Sequence, residues 1–398
     1  MTAVGAESAA HTRGTERRAM GVAGGAHALH DGYTDLIYVM LPIWQVEFGL
    51  SYAAIGLLRG MFAGTMAGFQ IPAGLLSERL GVPLVLAAGT ALAGLGYCLA
   101  PLVGSYPGLV AILLVAGLGA STQHPLASAL VARAFAGPRS LGALGTYNFA
   151  GDLGKMALPA AASLLLVLMP WRSTLALLGA IGLAAALVIL AVTPRYAAEA
   201  VKADAKPGIP SGQARGGFPV LLSIGVIDSA TRMGFLTFLP FLLTAKGAAL
   251  PTIGLALTLV FLGGAFGKLA CAWIGARIGV VATVWVTEGF TALGILALLP
   301  LPLEFALVLL PAIGVALNGT SSVLYGSVPL MVAPEARTRA FSVFYTGTIG
   351  SGAIAPIFYG LVGDAPGVPL ALAVVAALVL ATLPLVLLIR RQVMAAAA

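Results

Sequence analysis

Residues 194–216 read PRYAAEAVKADAKPGIPSGQARG, the one long polar interruption in an otherwise apolar chain. This stretch contains three prolines and four basic residues but no apolar run, which is typical of a linker between folded units. Six apolar stretches long enough to cross a bilayer precede it, and six follow it. The linker therefore predicts two groups of six membrane-spanning helices.

The twelve predicted spans each contain about 20 mostly apolar residues, the length that a bilayer requires of a helix. They lie near 20–44, 51–75, 82–103, 107–134, 141–168, 172–193, 217–244, 251–274, 280–300, 304–332, 338–363 and 368–389. We therefore expect an all-α membrane protein. Its predicted parts are a tail at 1–19, a six-helix bundle at 20–193, the linker at 194–216, a second bundle at 217–391 and a tail at 392–398.

The composition excludes several classes of protein. The chain has 398 residues, of which 60% are hydrophobic and only 9% are charged, whereas soluble domains are about 25% charged. A soluble protein of this size could not cover its surface with so few charges, which excludes a soluble enzyme, a nucleic-acid binder and a secreted scaffold. The 51 glycines agree with close helix packing inside a membrane.

Basic residues predict the orientation, because cytoplasmic loops carry an excess of Lys and Arg. One side of the predicted topology has only Arg172 and Lys246. The other side has Arg13, Arg17, Arg18, Arg79, Arg133, Arg139, Arg195, Lys202, Lys206, Arg215, Arg277, Arg337, Arg339, Arg390 and Arg391. Both termini and the linker should therefore lie in the cytoplasm, with the protein in a bacterial-type inner (plasma) membrane.

The two halves repeat at a constant offset of 198 residues. Matching pairs are Pro42 and Pro240, Arg79 and Arg277, Arg139 and Arg337, Tyr147 and Tyr345, and Gly154 and Gly352. Parallel six-helix repeats are a known transporter plan, in which the substrate binds at the midplane between the halves.

The first predicted helix carries a polar stripe. An ionisable group in mid-membrane costs roughly 2.5–3.5 kcal/mol on insertion scales, so each is a candidate functional residue. At helical periodicity one face, an arc of about 140°, collects His27, His30, Asp31, Thr34, Asp35 and Tyr38. We interpret this stripe as the lining of a water-filled cavity; the alternative is a hydrogen-bond network that joins helices.

Depth and spacing predict three ion pairs: Asp35 with Arg59, Asp152 with Lys155, and Asp228 with Arg232. Each pair is either structural or available to substrate. Asp31 is left without an assigned cation, so it becomes the first candidate for proton coupling, together with Asp35 and His27. The predicted substrate-binding residues are His30, Tyr38, Arg59, Gln123, His124, Asn148, Asp152, Lys155, Asp228, Arg232 and Asn318.

Other polar and small residues receive simpler interpretations. Gln123 and His124 precede Pro125, which should break the fourth helix and expose either side chain to substrate or to local hydrogen bonds. The glycines between Gly142 and Gly154 are interpreted as helix-packing positions. Glu288 and Lys268 receive no role.

The same residues leave three alternatives to a proton-coupled transporter of organic solutes: a metal transporter, an enzyme and a channel. A divalent metal could be the cargo, held by His27, His30, Asp31 and His124. An intramembrane enzyme lacks support, because the chain has neither a His-Glu-x-x-His helix nor a Gly-x-Ser-x-Gly elbow. A channel lacks a re-entrant filter segment. We expect no cofactor and no resident metal; the expected partners are a small-molecule substrate, protons and the lipid bilayer, and the chain is expected to be a monomer that binds no nucleic acid.

The loop after the second span, GLLSERLG at 74–81, resembles the signature loop of the major facilitator superfamily. Glu78 stands where the family usually has Asp, and Val82-Pro83 replaces its basic pair. The resemblance implies a gating ion pair only for Glu78 and Arg79. It also implies the twelve-helix major facilitator fold.

Within that superfamily the chain is similar to the fosmidomycin-resistance group. The similar segments are AHALHD at 26–31, Leu41-Pro42, EFGL at 47–50, Ile55-Gly56, Gly117-Leu118-Gly119, His124-Pro125 and Ala132-Arg133. This resemblance implies export of a small anionic drug or metabolite, such as a phosphonate, by exchange for protons.

Overall fold

The computed structural model describes residues 3–135, 139–194, 217–332 and 337–390, and within these ranges all regular structure is helical. The α-helices are α1 (Ala3–Phe48), α2 (Tyr52–Gly68), α3 (Gln70–Leu80), α4 (Val82–Leu99), α5 (Tyr106–Ala120), α6 (Gln123–Ala134), α7 (Arg139–Leu168), α8 (Trp171–Val192), α9 (Phe218–Ala245), α10 (Leu250–Leu298), α11 (Leu303–Met331), α12 (Arg337–Asp364), α13 (Val368–Val379) and α14 (Thr382–Leu388). The predicted linker after residue 194, with Arg195, Lys202, Lys206 and Arg215, lies outside the described residues, as do Arg391 and the tail at 392–398.

All twelve predicted spans are helical over most of their described residues, although several are interrupted or joined. Ten helical segments of the described ranges are long and apolar enough to cross a membrane. The other two spans are α1, whose polar stripe lowers its hydropathy, and the α2–α3 segment, which breaks at Phe69. Helix α1 begins at Ala3, so the described part of the predicted N-terminal tail is helical. The expected break before Pro125 is present, because α5 ends at Ala120 and α6 begins at Gln123.

The internal duplication is visible in the backbone. Gly81 and Gly279, which are 198 residues apart, have φ values of 84° and 82°, and Gly49 and Gly247 have φ values of 61° and 87°. Only glycine adopts these left-handed conformations at little cost. Gly279 separates the two spans that α10 joins, as Gly81 separates α3 from α4. Equivalent turns at equivalent positions confirm that the two halves are repeats.

The described chain divides into two compact units. Their boundary differs from the division at the linker, because one segment of the first repeat belongs to the second unit. One unit comprises Met1–Ile37 and Thr65–Lys202, and the other Tyr38–Gly64 and Ala203–Ala398. The segment Tyr38–Gly64 therefore packs with helices of the second repeat. Gly56 and Gly60 allow this packing, because a Cβ atom on either would overlap backbone atoms of Pro356 or Ala353 in α12.

The start of α2 is capped by an aspartate from the end of α12. The backbone N–H groups of Tyr52 and Ala53 donate to Asp364 Oδ1 and Oδ2, at 2.5 and 3.1 Å. The first N–H groups of a helix lack intrahelical partners, and a carboxylate there also meets the positive end of the helix dipole. Asp364 thus ties the start of α2 to the second repeat.

Within the first unit, α1 and α7 approach each other through small residues. A Cβ atom on Gly154 would collide with the carbonyl oxygen of Ala28, and one on Gly32 would lie 2.7 Å from Leu158 Cβ. The packing interpretation of the glycine-rich segment therefore holds at Gly154. A Cβ on Gly142 or Gly145 would meet no atom within 4 Å, so those two glycines are not packing positions.

We predict opposite effects for Gly154→Ala and Gly145→Ala, two identical substitutions on α7. Gly154→Ala should destabilise the protein by about 1–3 kcal/mol, because the added methyl forces α1 and α7 apart. Gly145→Ala should be neutral or stabilising by up to about 1 kcal/mol, because alanine favours the helix and meets open space. The thermal-unfolding midpoints of the two variants, purified in detergent, check this. Equal midpoints would contradict the close α1–α7 contact.

Candidate functional site around Asp31 and Asp228

The polar stripe of α1 is packed against neighbouring helices. His27, His30, Asp31, Asp35 and Tyr38 are each less than 10% exposed, and Thr34 is half-buried. The expected water-filled lining is therefore wrong for these side chains, because other helices cover the stripe. The structure favours the alternative interpretation, in which hydrogen bonds and ion pairs join α1 to its neighbours.

Asp31 is the centre of a charged cluster in the first unit. Its Oδ2 lies 3.3 Å from Lys155 Nζ and 3.2 Å from His27 Nε2, and its Oδ1 lies 3.6 Å from His124 Nε2. The expectation that Asp31 has no cation is therefore wrong. Lys155 comes from α7, and the absence of a side chain on Gly151 lets α7 approach: a Cβ there would lie 2.6 Å from His27 Nε2.

Lys155 also interacts electrostatically with Asp35 and Asp152. Its ion pair with Asp31, at 3.3 Å, links it to a different helix. The predicted local partnership with Asp152 therefore describes only part of its surroundings. The predicted pairing of Asp35 with Arg59 stays a prediction.

The contacts of His27 require a proton between His27 and Asp31. His27 Nδ1 lies 2.9 Å from the main-chain oxygen of Tyr147, which can only accept, so Nδ1 carries a hydrogen. The hydrogen bond between Nε2 and the Asp31 carboxyl then needs a proton on one partner. This proton is held either as an imidazolium or as a carboxylic acid. The proton-coupling roles of His27 and Asp31 stay predictions.

Tyr147 is a site residue that sequence reasoning did not select, although its recurrence as Tyr345 marked it as a repeated position. Its ring stacks on His27 with centroids 4.1 Å apart, and its hydroxyl accepts a hydrogen bond from Gln123 Nε2 at 2.9 Å. Tyr147 therefore fixes the orientation of His27, and Gln123 fixes Tyr147.

His30 makes a separate contact with α4. Thr90 donates its hydroxyl hydrogen to the carbonyl of Leu86 at 2.8 Å, so Thr90 accepts from His30 Nε2 at 2.9 Å. His30 Nδ1 is buried and has no hydrogen-bond partner among the described residues. It is thus a buried imidazole with one satisfied nitrogen.

In the second unit, the Arg59 guanidinium lies over the Tyr38 ring, 5.1 Å from its centroid. Both side chains also approach Met233 Sδ, at 3.9 Å from an Arg59 nitrogen and 3.5 Å from the Tyr38 hydroxyl oxygen. Aromatic and thioether contacts of this kind stabilise a buried cation.

The predicted pair of Asp228 and Arg232 is confirmed, with Oδ2 and the guanidinium nitrogen 3.4 Å apart. The carboxyl of Asp228 also hydrogen-bonds the carboxyl of Glu288. Glu288 is a second site residue that sequence reasoning missed, because no spacing rule links it to α9. Its position as the only charge in its predicted span was the available signal.

The remaining predicted site residues differ in exposure. Asn148, Glu78 and Arg79 are exposed, whereas Asn318 is half-buried and its side-chain amide donates to the Gly314 carbonyl at 3.2 Å. Their roles in binding and gating stay predictions.

A metal ion could use His27, Asp31 and His124, whose ligand atoms lie within 4.8 Å of one another. The Tyr147 carbonyl holds the second nitrogen of His27, as is usual for a metal ligand. The Lys155 ammonium, however, contacts the same carboxylate oxygen as His27 and would repel a divalent cation. The donor set is therefore poorly suited to a divalent metal.

Part of the sequence is similar to a known bacterial protein. The Escherichia coli (strain K12) fosmidomycin resistance protein is 28% identical over 141 residues, which are 35% of this chain and 34% of that protein. The match thus spans about a third of that relative.

Two solved transporter structures share the fold. A bacterial homolog of the human lysosomal transporter Spinster, in an inward-facing and occupied conformation, has a TM-score of 0.74 at 16% identity and covers 95% of this chain and 97% of that chain. A mutant of the nucleoside transporter NupG has a TM-score of 0.72 at 14% identity and covers 96% of this chain and 99% of that chain.

The sequence profile of the Major Facilitator Superfamily matches residues 24–220 and again residues 220–396, one match for each repeat. Together the two matches cover nearly the whole chain, and ten helical segments of its described ranges are long and apolar enough to cross a membrane. The chain therefore belongs to the Major Facilitator Superfamily and is a multi-pass membrane transporter.

Proposed function

We propose that this transporter couples proton movement to the export of a small organic anion across a bacterial-type inner membrane. The supporting observation is the 3.3 Å contact between Lys155 Nζ and Asp31 Oδ2. The side chains of Lys155 and His124 are 31% and 40% exposed, while that of Asp31 lies behind them at 8%. An anion that reaches Lys155 therefore competes with a carboxylate already bound there.

At the Asp31–Lys155 pair, proton binding and anion binding favour each other. Protonation of Asp31 removes the negative charge opposite Lys155 and frees the ammonium for a substrate anion. By reciprocity, an anion bound to Lys155 favours protonation of Asp31. This local linkage favours binding of proton and anion together, so exchange, the mode that the family resemblance implies, requires a further proton-binding group in the chain.

The proposed substrate is a phosphonate or a similar small anion. The name of the Escherichia coli relative supports this class, as do the basic side chains at the proposed binding positions. Lys155 would contact the anionic group, since charge-assisted hydrogen bonds are the strongest available in such a site. Arg59 and Arg232 are the basic residues proposed for binding in the second unit. The proposed polar contacts are His30, Tyr38, Gln123, His124, Asn148, Asp152, Asp228 and Asn318.

The remaining parts of the proposal concern the transport cycle. The two repeats would alternate access to the substrate by rocking, with Glu78 and Arg79 in the gate. The excess of Lys and Arg on one predicted side supports placing both termini in the cytoplasm. We propose that one chain acts as a monomer.

We predict that Asp31→Asn and Lys155→Met have separable effects. Asp31→Asn should retain substrate binding but lose the response of transport to a proton gradient, because an amide cannot exchange a proton and leaves Lys155 free. Lys155→Met should weaken binding of fosmidomycin at least about tenfold, equivalent to ~1.4 kcal/mol. Uptake of labelled fosmidomycin into energised inverted vesicles, with binding measured on purified protein, checks both effects.

Glu304→Gln, an exposed acid in the first turn of α11, is the matched control and should behave as wild type. If Asp31→Asn still responds to an acid jump, the assignment of proton coupling to Asp31 is wrong. If energised inverted vesicles lose fosmidomycin instead of accumulating it, transport is co-transport and the exchange mode is wrong.

A divalent metal is the second candidate cargo, favoured only by the convergence of His27, Asp31 and His124. Because Lys155 occupies the shared carboxylate, we predict no heat above background when zinc is titrated into the purified protein by calorimetry. Stoichiometric heat that disappears in His124→Gln would contradict this expectation and make a metal the cargo.

A further inference from the structure

Two buried acids meet in the second repeat. Asp228 of α9 and Glu288 of α10 are 3% and 1% exposed, and their carboxyl groups are hydrogen-bonded to each other. An ionised carboxylate has no hydrogen to donate, so this bond requires a proton on one of the two. Glu288 lies near the middle of the 22-residue span Arg277–Leu298, where a bare charge is costly.

The charges around the two acids are neutralised when the pair holds one proton. Arg232 is the cation that acts on both acids, at 3.4 Å from Asp228 Oδ2. Two polar groups of α11 also act on this site: the Thr320 hydroxyl hydrogen-bonds Glu288, and the Tyr325 phenol interacts electrostatically with Asp228 and Arg232. Two acids, one proton and one guanidinium sum to zero charge, which a low-dielectric site favours.

The equivalent positions of the first repeat are also in contact, which indicates that the shared backbone path brings Asp228 and Glu288 together. At the offset of 198 residues, His30 corresponds to Asp228 and Thr90 to Glu288. His30 and Thr90 are themselves hydrogen-bonded at 2.9 Å. Both repeats thus bring the same two positions together, but only the second fills them with carboxyl groups.

We propose that Asp228 and Glu288 form a proton-binding site in the second repeat and that Arg232 controls its occupancy. Arg232 Nε and Glu288 Oε1 are both buried and lack hydrogen-bond partners among the described residues. A rotation that brings these two atoms together satisfies both and places the guanidinium between two carboxylates. The acidic O–H bond then breaks, its electron pair stays on the carboxylate, and the proton passes to water.

The proposal is independent of Asp31, since proton binding by this pair does not need transport to be coupled through the first repeat. Only its link to the transport cycle rests on the proposed function, where it would supply the second proton-binding group that exchange requires.

Infrared difference spectroscopy between acidic and alkaline buffer tests the proposal on purified wild-type protein. We expect a protonated-carboxyl C=O band that disappears at alkaline pH and shifts in deuterium oxide. Glu288→Gln should abolish this band yet retain the fold, because the glutamine amide donates to Asp228 as the protonated acid does. Asp228→Asn removes the other carboxyl of the pair and should also abolish the band. It replaces Glu288→Gln in the test if that variant is unstable. Glu304→Gln and Asp31→Asn should leave it unchanged.

A carboxyl band that persists at every pH would overturn the proposal, because the pair would then be a permanent structural hydrogen bond. In the Asp31→Asn background, survival of the same titrating band in both Glu288→Gln and Asp228→Asn would also overturn it. If vesicles show no proton-coupled transport while the band titrates and depends on Glu288, the proposed function fails and the proton-binding site stands.

Discussion

An ionised group inside a bilayer must meet an opposite charge or share a proton, since each uncompensated one costs roughly 2.5–3.5 kcal/mol on insertion scales. The described helices satisfy this constraint locally in each repeat. Asp31 lies against Lys155 and two imidazoles, and Asp228 lies against Arg232 and a second acid. Further polar contacts support the first cluster: Tyr147 and Gln123 hold His27 in the orientation that the Asp31 contact needs.

Duplication provides the backbone for these clusters, and divergence provides their chemistry. The equivalent turn glycines, Gly81 and Gly279, show that both repeats keep the same chain path. On that shared path, the positions that hold His30 and Thr90 in the first repeat hold Asp228 and Glu288 in the second. One pair is an imidazole and a hydroxyl that need no extra charge, whereas the other exists only with a proton. A repeated fold thus carries two different polar sites at equivalent places.

The sequence predicts those features that depend on neighbours along the chain. Spans follow from apolar runs, the break before Pro125 follows from a missing N–H, and the Asp228–Arg232 pair follows from helical spacing. Asp31 and Lys155 are 124 residues apart, and their contact depends on the register of α1 against α7. That register depends on the close approach of the α1 and α7 backbones at Gly154. In the sequence, Gly154 is visible only as a small residue. The link between Asp228 and Glu288 was missed for the same reason.

The two clusters differ in how a cation acts on the proton, and this difference constrains the mechanism. At Asp31, the cation and the proton compete for one carboxylate, so an anion that removes Lys155 favours protonation. At Asp228 and Glu288, there are two carboxylates for one cation, and Arg232 can replace the proton by bridging both. Movement of Arg232 towards Glu288 therefore releases a proton, whereas movement of Lys155 away from Asp31 takes one up. A transporter that exchanges an anion for a proton needs the first kind of response, and in the described chain the second repeat has the paired acids to produce it.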